Sequence, residues 1–395
     1  MKTVASRQSP VASLFIFLFF TCYLLLATCY LSFAYAQSET GNYVRVLILK
    51  NAPSFELYIK GNYKIESLKT KNALGAGENI NAKVYMDIDG ITIGDNLLRE
   101  NRIVIFPESA LFYLNNRPLR GGLIIRKEND LSFSVINCLN LEDYVKGVLF
   151  HEVSHHWPKE ALCAQAVATR TYVLYQKEVS KDKDYDVTSD IYSQVYGGKD
   201  AERYRTNSAV EHTKGLVLTY KGKIFPAYFH ATCGGKTEDA AQLWDMNLVP
   251  LKGVDCNFCV KSKHFKWQKT LSRSELINKL NKSGYSIDSL EAIEILGRDK
   301  SGRVKKLKLK SKSANHIISA KDFRQIIGGT DIRSTNFDLT FSGDNIYFEG
   351  FGWGHGVGMC QWGAYFASRK GYKYQDILKF YYPGAKIEEI GNVAF

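Results

Sequence analysis

Short apolar runs broken by polar turns dominate residues 43–137. Val44-Arg45-Val46-Leu47-Ile48-Leu49 is the first, and 55–58, 103–106 and 123–126 have the same extended character. Gly61-Asn62, Gly75, Gly77, Gly90 and Gly121-Gly122 punctuate them. The pattern predicts a β-rich part over 43–136, a scaffold or binding surface with no sign of chemistry. At 141 the period changes. Asn140 is placed to cap a helix, with Asp143 three residues on as an approximate capping box. At about 100° per residue, Tyr144, Val145, Val148, Leu149 and Val153 cover one arc, and Glu152 falls in its middle. Pro158 suits the first turn of a second helix, whose Ala161, Ala164, Ala166 and Ala168 give it faces for close packing.

The remainder alternates elements. A charged, flexible segment is expected at 177–186, and two strands at 215–220 and 223–229 joined at Lys221-Gly222. A polar section spans 271–345, with a helix near 272–280 and another over 320–327 closed by Gly328-Gly329. Between them lies a basic strand, 304–310. There Lys305 shares a face with Leu307 and Leu309, while Lys306, Lys308 and Lys310 form the other, a solvated edge or an attractor for an anionic polymer. A last helix ends at Tyr381-Tyr382-Pro383-Gly384. The fold class is α+β: the β-rich part is followed by a mixed helix and strand core over 137–390.

Composition adds partners and compartment. The chain of 395 residues is 45% hydrophobic and 23% charged, ordinary for globular protein, and its 24 Tyr and 22 Phe suit β-structure and sugar-stacking surfaces. The net charge of +12 favours nucleic acid, an acidic membrane surface or cell-wall polymers. The N-terminus decides among these. Lys2 and Arg7 precede an uncharged apolar run over 11–36 that ends Ala34-Tyr35-Ala36, the pattern of a secretory signal peptide. The run is also long enough to remain as an anchor, so the membrane is a partner through residues 1–36 if they are not cleaved. Either way the body is exported to the cell envelope, periplasm or wall, and nucleic acid falls away as a partner.

Four stretches carry candidate chemistry. A carboxylate centred on an apolar face is costly to ionise, so Glu152 reads as a general acid with a raised pKa, or as a buried partner of Arg170. His151-Glu152-Val153-Ser154-His155 also spells H-E-x-x-H, the zincin signature, with Glu178 or His212 as a nominal third ligand; Pro158 leaves little helix beyond His155. The loop 190–198, with Gln194 and Tyr196 before Gly197-Gly198, suits a ligand-facing turn or a plain surface one. Cys233, the Cys256/Cys259 knuckle and His264 have the ligand types of a structural zinc site, with a disulfide as the rival in an exported protein. Finally, 350–364 alternates glycine with bulky residues, and His355, Gln361 and Trp362 are suited to hydrogen-bond and stack on a sugar. Phosphate cradling by this glycine run is disfavoured because the run itself holds no Gly-Lys-Ser/Thr.

Several long motifs in order, LEDYVKGVLFHEV…WPKEALCAQAVATRTY, SQVYGG, FHATCGGKTEDA…LW, FRQIIGG…RSTNFDL and GFGWGHGVGMCQWGA…YYPGA, resemble the SpoIID/LytB family of bacterial cell-wall proteins over about 137–384. The resemblance implies a lytic transglycosylase acting on peptidoglycan glycan strands, those stripped of stem peptides. It would use Glu152 as the catalytic acid, Gln194, Tyr196, His355, Gln361 and Trp362 to position sugars, and no cofactor for the chemistry. A non-catalytic wall-binding enhancer of a cell-wall amidase is the alternative it implies, and the zincin is a distant third. The chain departs from the family in places. Glu-Met-Pro is usual where Glu152-Val153-Ser154 stands, and Ser is common at Cys360. A Cys…His-Cys zinc run of some members is replaced by Thr188, Tyr192 and Ser193.

Overall fold

Alternate burial builds the longest strands. In β2 (Ser54–Ser67), Phe55, Leu57 and Ile59 are buried while Glu56, Tyr58 and Lys60 face solvent. The computed structural model describes residues 43–189 and 194–393. The signal or anchor segment expected over 1–36 and residues 190–193 of the 190–198 loop lie outside them. Among the described residues no helix is long and apolar enough to cross a membrane.

The N-terminal strands are β1 (Tyr43–Ala52), β2, β3 (Ala73–Asp87), β4 (Gly90–Ile93), β5 (Asn96–Leu98), β6 (Arg102–Pro107), β7 (Leu111–Leu114), β8 (Arg117–Arg120), β9 (Gly122–Asn129) and β10 (Ser132–Asn140). With β11 (Val187–Thr188) they form one sheet in the order β11-β1-β10-β9-β6-β2-β3-β4-β5, with β7 and β8 attached at β2. The fold is therefore α+β with a β-rich N-terminal part. Strand β3 had no counterpart in the sequence pattern. Most of its residues are exposed, so no period-two stripe marks it, and Gly75 and Gly77, taken as turn signals, lie inside it.

Two helices follow directly, α1 (Leu141–Glu152) and α2 (Lys159–Val179). They share one hydrophobic core with the sheet: Tyr144, Val145, Val148 and Leu149 pack in the same cluster as Phe55, Ile103 and Phe133. Helix α2 reaches into the segment expected to be flexible, and the rest of that segment is tied to the sheet. Asp186 pairs with Arg45 at 2.6 Å and accepts its backbone N–H at 2.8 Å, and Asp184 bridges Arg102 and Arg126. The expected strand over 223–229 is shorter than predicted, Lys223–Ile224, and Pro226 has no N–H with which to continue the ladder. Its partner Leu216–Tyr220 meets it only at Thr219 and Tyr220, and pairs over 216–219 with Lys386–Glu389 on the other side.

The polar section has a hydrophobic core of its own, built on Trp267, Leu276, Leu307, Phe323, Phe337 and Phe348. Its helices are Arg273–Lys282, capped by Ser272, and Ala320–Ile327, capped by Ser319 and closed by Gly328 at φ 110. The basic strand Lys306–Lys310 is not an edge. It runs between Ala292–Ile295 and His316–Ser319, and Lys310 pairs with Glu294.

Gly147 on α1 gives a first test of the core. A Cβ there would lie 2.5 Å from Cε2 of Tyr196, whose ring stacks on Tyr144 at 5.6 Å. Gly147→Ala is expected to destabilise by about 1–3 kcal/mol through overpacking, against the ~1 kcal/mol that Ala normally gains in a helix. Urea unfolding decides the matter, and a more stable variant would mean Tyr196 does not pack there.

Candidate active site

Helix α1 sets the position of Glu152. Asn140 caps its start, accepting from the Glu142 N–H at 2.9 Å, and Glu142 and Asp143 fill the first turn. Glu152 is the last helical residue. Val153 is extended, at φ −142 and ψ 149, and its N–H closes on the Leu149 carbonyl at 3.1 Å. A carboxylate at a helix C-terminus faces the negative end of the dipole. Burial works in the same direction and pushes the Glu152 carboxyl up to about 7, opposed by a long hydrogen bond from Gln361 Nε2 to Glu152 Oε2 at 3.5 Å.

Arg170 is committed elsewhere. Its Nε and Nη2 form a fork on Glu142 at 2.9 and 2.7 Å. Ten residues of helix separate Glu142 from Glu152, about 15 Å, so one guanidinium cannot serve both. The zincin geometry also fails. With the chain extended at Val153, His155 is not one helical turn from His151; its ring packs on Phe150 and His156. His151 is exposed, and a Cβ on Gly197 would collide with its ring.

The other predicted residues divide into those that reach the site and those that do not. Gln361 opens the helix Gln361–Arg369 and lies between Glu152 and Gln165 Oε1, the latter at 3.4 Å. It is placed by a parallel bridge of Phe229–His230 with Met359–Cys360. Gln194 is buried, and its Oε1 accepts from the Tyr144 hydroxyl at 3.0 Å. Its Nε2 is buried with no partner, and Gln194 lines a small cavity of about 80 Å³ with Tyr172, Tyr228, Phe229 and His355. An orphaned donor beside a cavity is a natural place for a ligand oxygen. The charge of Glu152 reaches this region: after burial, it is the largest influence raising the Tyr144 phenol.

His355 has both nitrogens occupied. Nδ1 accepts from the Val357 N–H at 3.1 Å, so Nε2 carries the proton and donates to the Phe229 carbonyl at 2.9 Å. Burial pushes its pKa down to about 4, and the neutral ring offers a surface rather than a hydrogen bond to a ligand. Tyr196 is a correction to the sequence reading. It is 2% exposed, and its hydroxyl donates to Asn137 Oδ1 at 3.0 Å, so it supports the Gln194 loop from within the core.

Trp362 is half-buried next to Gln361, in a band of rings that the sequence pattern largely hides. It lies 5.2 Å from Trp157, which in turn lies 5.2 Å from Tyr365. On its other side His264 is 6.0 Å away and leads to Trp353, under Arg333. Trp157 and Trp353 sit at the helix break and in the glycine run, and only tertiary packing reveals that they line up.

The metal candidates rearrange. Cys233, Cys256 and Cys259 come together, but His264 does not join them. Its ring is held 4.8 Å from Trp353, and Cys360 takes the fourth place. None of the six described cysteines is in a disulfide.

The family model described as stage II sporulation protein matches residues 129–220, which include α1, α2 and Gln194. A second, described as a domain of unknown function, matches 247–358, spanning the cysteine knuckle, the polar section and most of the glycine run. An uncharacterised protein of Brachyspira hyodysenteriae is 36% identical over 360 residues, 89% of this chain and 94% of the relative. Stage II sporulation protein D of Bacillus subtilis is 30% identical over 305 residues, 71% of this chain and 86% of that protein. The amidase enhancer of Bacillus subtilis is 29% identical over 291 residues, 62% of this chain and 40% of that protein.

Proposed function

Because the chain belongs to the family of stage II sporulation protein D, we propose that it is a peptidoglycan lytic transglycosylase. It cleaves the bond between N-acetylmuramic acid and N-acetylglucosamine in denuded glycan strands, leaving 1,6-anhydro ends. The observation that carries this reading is Glu152, a carboxyl pushed up to about 7 at the end of a half-buried helix with a glutamine as its hydrogen-bond partner.

Protonated Glu152 gives its proton to the glycosidic oxygen as the bond from muramic C1 breaks. The carboxylate then takes the proton of the C6 hydroxyl, which closes on C1. The nucleophile belongs to the substrate, so one carboxylate serves as acid and then base, and no second carboxylate is needed. Gln361 holds the acid by a bond that strengthens as charge develops on it. Gln194 Nε2 supplies a free donor, and the Trp157–Trp362 band a stacking surface for sugar faces. No metal takes part in this step. The proposal places the protein in the cell envelope, reached through residues 1–36, with the glycan strand as its partner.

The test is digestion of denuded strands with product masses read across pH. Anhydro products, each lighter by one water than a hydrolysis product, are expected. The reactive form is protonated Glu152, so kcat/KM falls as pH rises through about 7, tenfold per unit beyond it. Hydrolysis products alone, or a rate that climbs through pH 8, would sink the proposal. The relative named amidase enhancer supports a second reading, a wall-bound helper of an amidase. That reading wins if the protein speeds an amidase while leaving glycan length unchanged.

A further inference from the structure

We propose that Cys233, Cys256, Cys259 and Cys360 bind one zinc ion as a tetrahedral tetrathiolate, a strut behind the helix that presents Gln361 to Glu152. All four residues are fully buried, at 0% exposure, and their sulfurs all lie within 4.8 Å of one another. Zinc–sulfur bonds of about 2.3 Å at a tetrahedral centre put the sulfurs about 3.8 Å apart, so the cluster needs less than an ångström of adjustment. Two disulfides would need only two close pairs; mutual closeness of all four is what a single ion requires.

The surroundings suit thiolates. The N–H groups of Cys233 and Gly363 both point at Cys360 Sγ, each at 3.3 Å, and the Tyr381 hydroxyl is 3.1 Å from Cys256 Sγ. Such donors fix and neutralise metal-bound sulfur. Gly363 leaves the room for this, since a Cβ there would lie 3.0 Å from Cys256 Sγ. Arg303, 1% exposed, donates to the Cys233 carbonyl at 2.8 Å and brings a buried positive charge to a site whose zinc form is a dianion.

The ion would tie together three distant segments: the bend after Phe229–His230, the 256–259 knuckle, and the start of the helix Gln361–Arg369. Cys360 caps that helix and precedes Gln361, so the metal anchors the residue that bonds Glu152. The metal assignment is independent of the glycan chemistry, because its test reads metal and not cleavage.

The full chain, purified without chelator, is expected to carry one zinc per molecule by elemental analysis. Its cobalt-substituted form should show the intense visible and near-ultraviolet bands of a tetrahedral tetrathiolate. Cys360→Ser keeps an oxygen to cap the Gly363 N–H, so the fold survives while a ligand is lost. It should yield its zinc at a chelator concentration at least about 100-fold lower than the parent requires. Stripping the metal should lower the unfolding midpoint by roughly 10 °C or more. The proposal is overturned by metal-free protein whose cysteines are disulfide-linked by mass, by an iron spectrum, or by unchanged affinity in Cys360→Ser.

Discussion

Glu152→Gln should be almost inert on denuded glycan strands and, at pH 8, more stable than the parent. The loss of activity follows from removing the only proton donor that the proposed step uses. A positioned general acid contributes about 10²–10⁴-fold, and that is the expected fall in anhydro-product formation. The gain in stability follows from linkage. The Glu152 carboxyl titrates at about 7 in the folded chain, against about 4.3 unfolded, so the folded state holds its proton more tightly. Its stabilising contribution is complete below the unfolded value and is lost as pH rises through 7, where the folded protein must carry a desolvated charge. Glutamine carries none, and its side-chain oxygen can still accept from Gln361. The variant should therefore gain up to about 3 kcal/mol at pH 8 and close to nothing at pH 4.5. Thermal unfolding at the two pH values, beside product analysis, checks both halves. Anhydro products at the parental rate would remove Glu152 from the mechanism. A stability difference independent of pH would show that its carboxyl does not titrate near neutrality.

Glu152 was legible because the apolar arc of α1 repeats with the helical period, and a single acid on that arc stands out at any alignment of the chain. The partner of that acid was not legible. The sequence offered only Arg170, on the neighbouring helix, whereas Gln361 lies 209 residues away and reaches Glu152 through the fold alone. The cysteine site shows the same limit. His264 is five residues beyond the knuckle and Cys360 about a hundred, so sequence proximity favoured the wrong fourth member. Tyr196 beside Gly197-Gly198 has the composition of an exposed loop. Its burial comes from Gly147, which leaves space on the facing helix. The basic strand Lys306–Lys310 suggested a solvated edge because its neighbours, Ala292–Ile295 and His316–Ser319, are only four residues each, too short to announce themselves as strands. Local periodicity was readable; contacts between segments remote in sequence were not.

The largest stability loss is expected at the opposite end of the same helix. Arg170 is wholly buried and Glu142 nearly so, at 0% and 12% side-chain exposure, and they meet through two hydrogen bonds. The clamp extends further. Arg170 Nη1 donates to the Leu216 carbonyl at 3.0 Å, and Glu142 Oε1 accepts the Gly215 N–H at 3.0 Å. One ion pair thus joins α1, α2 and the strand Leu216–Tyr220. Removing one partner leaves a buried charge and several backbone groups unsatisfied, so Arg170→Ala should cost about 3–5 kcal/mol. Removing both is different: in Arg170→Met combined with Glu142→Leu no charge is stranded, and most of that loss should be recovered, although the backbone bonds are not. Urea unfolding of Arg170→Met, Glu142→Leu and the double variant measures the coupling, and additive losses would mean that the two residues do not act as a pair. The clamp also bears on the acid at the far end of α1. In the double variant the helix keeps its apolar packing but loses its fixed tether to Leu216. Its activity on glycan strands should then fall further than its stability, because Glu152 depends on how α1 is aimed at Gln361, whereas the core depends only on α1 being present.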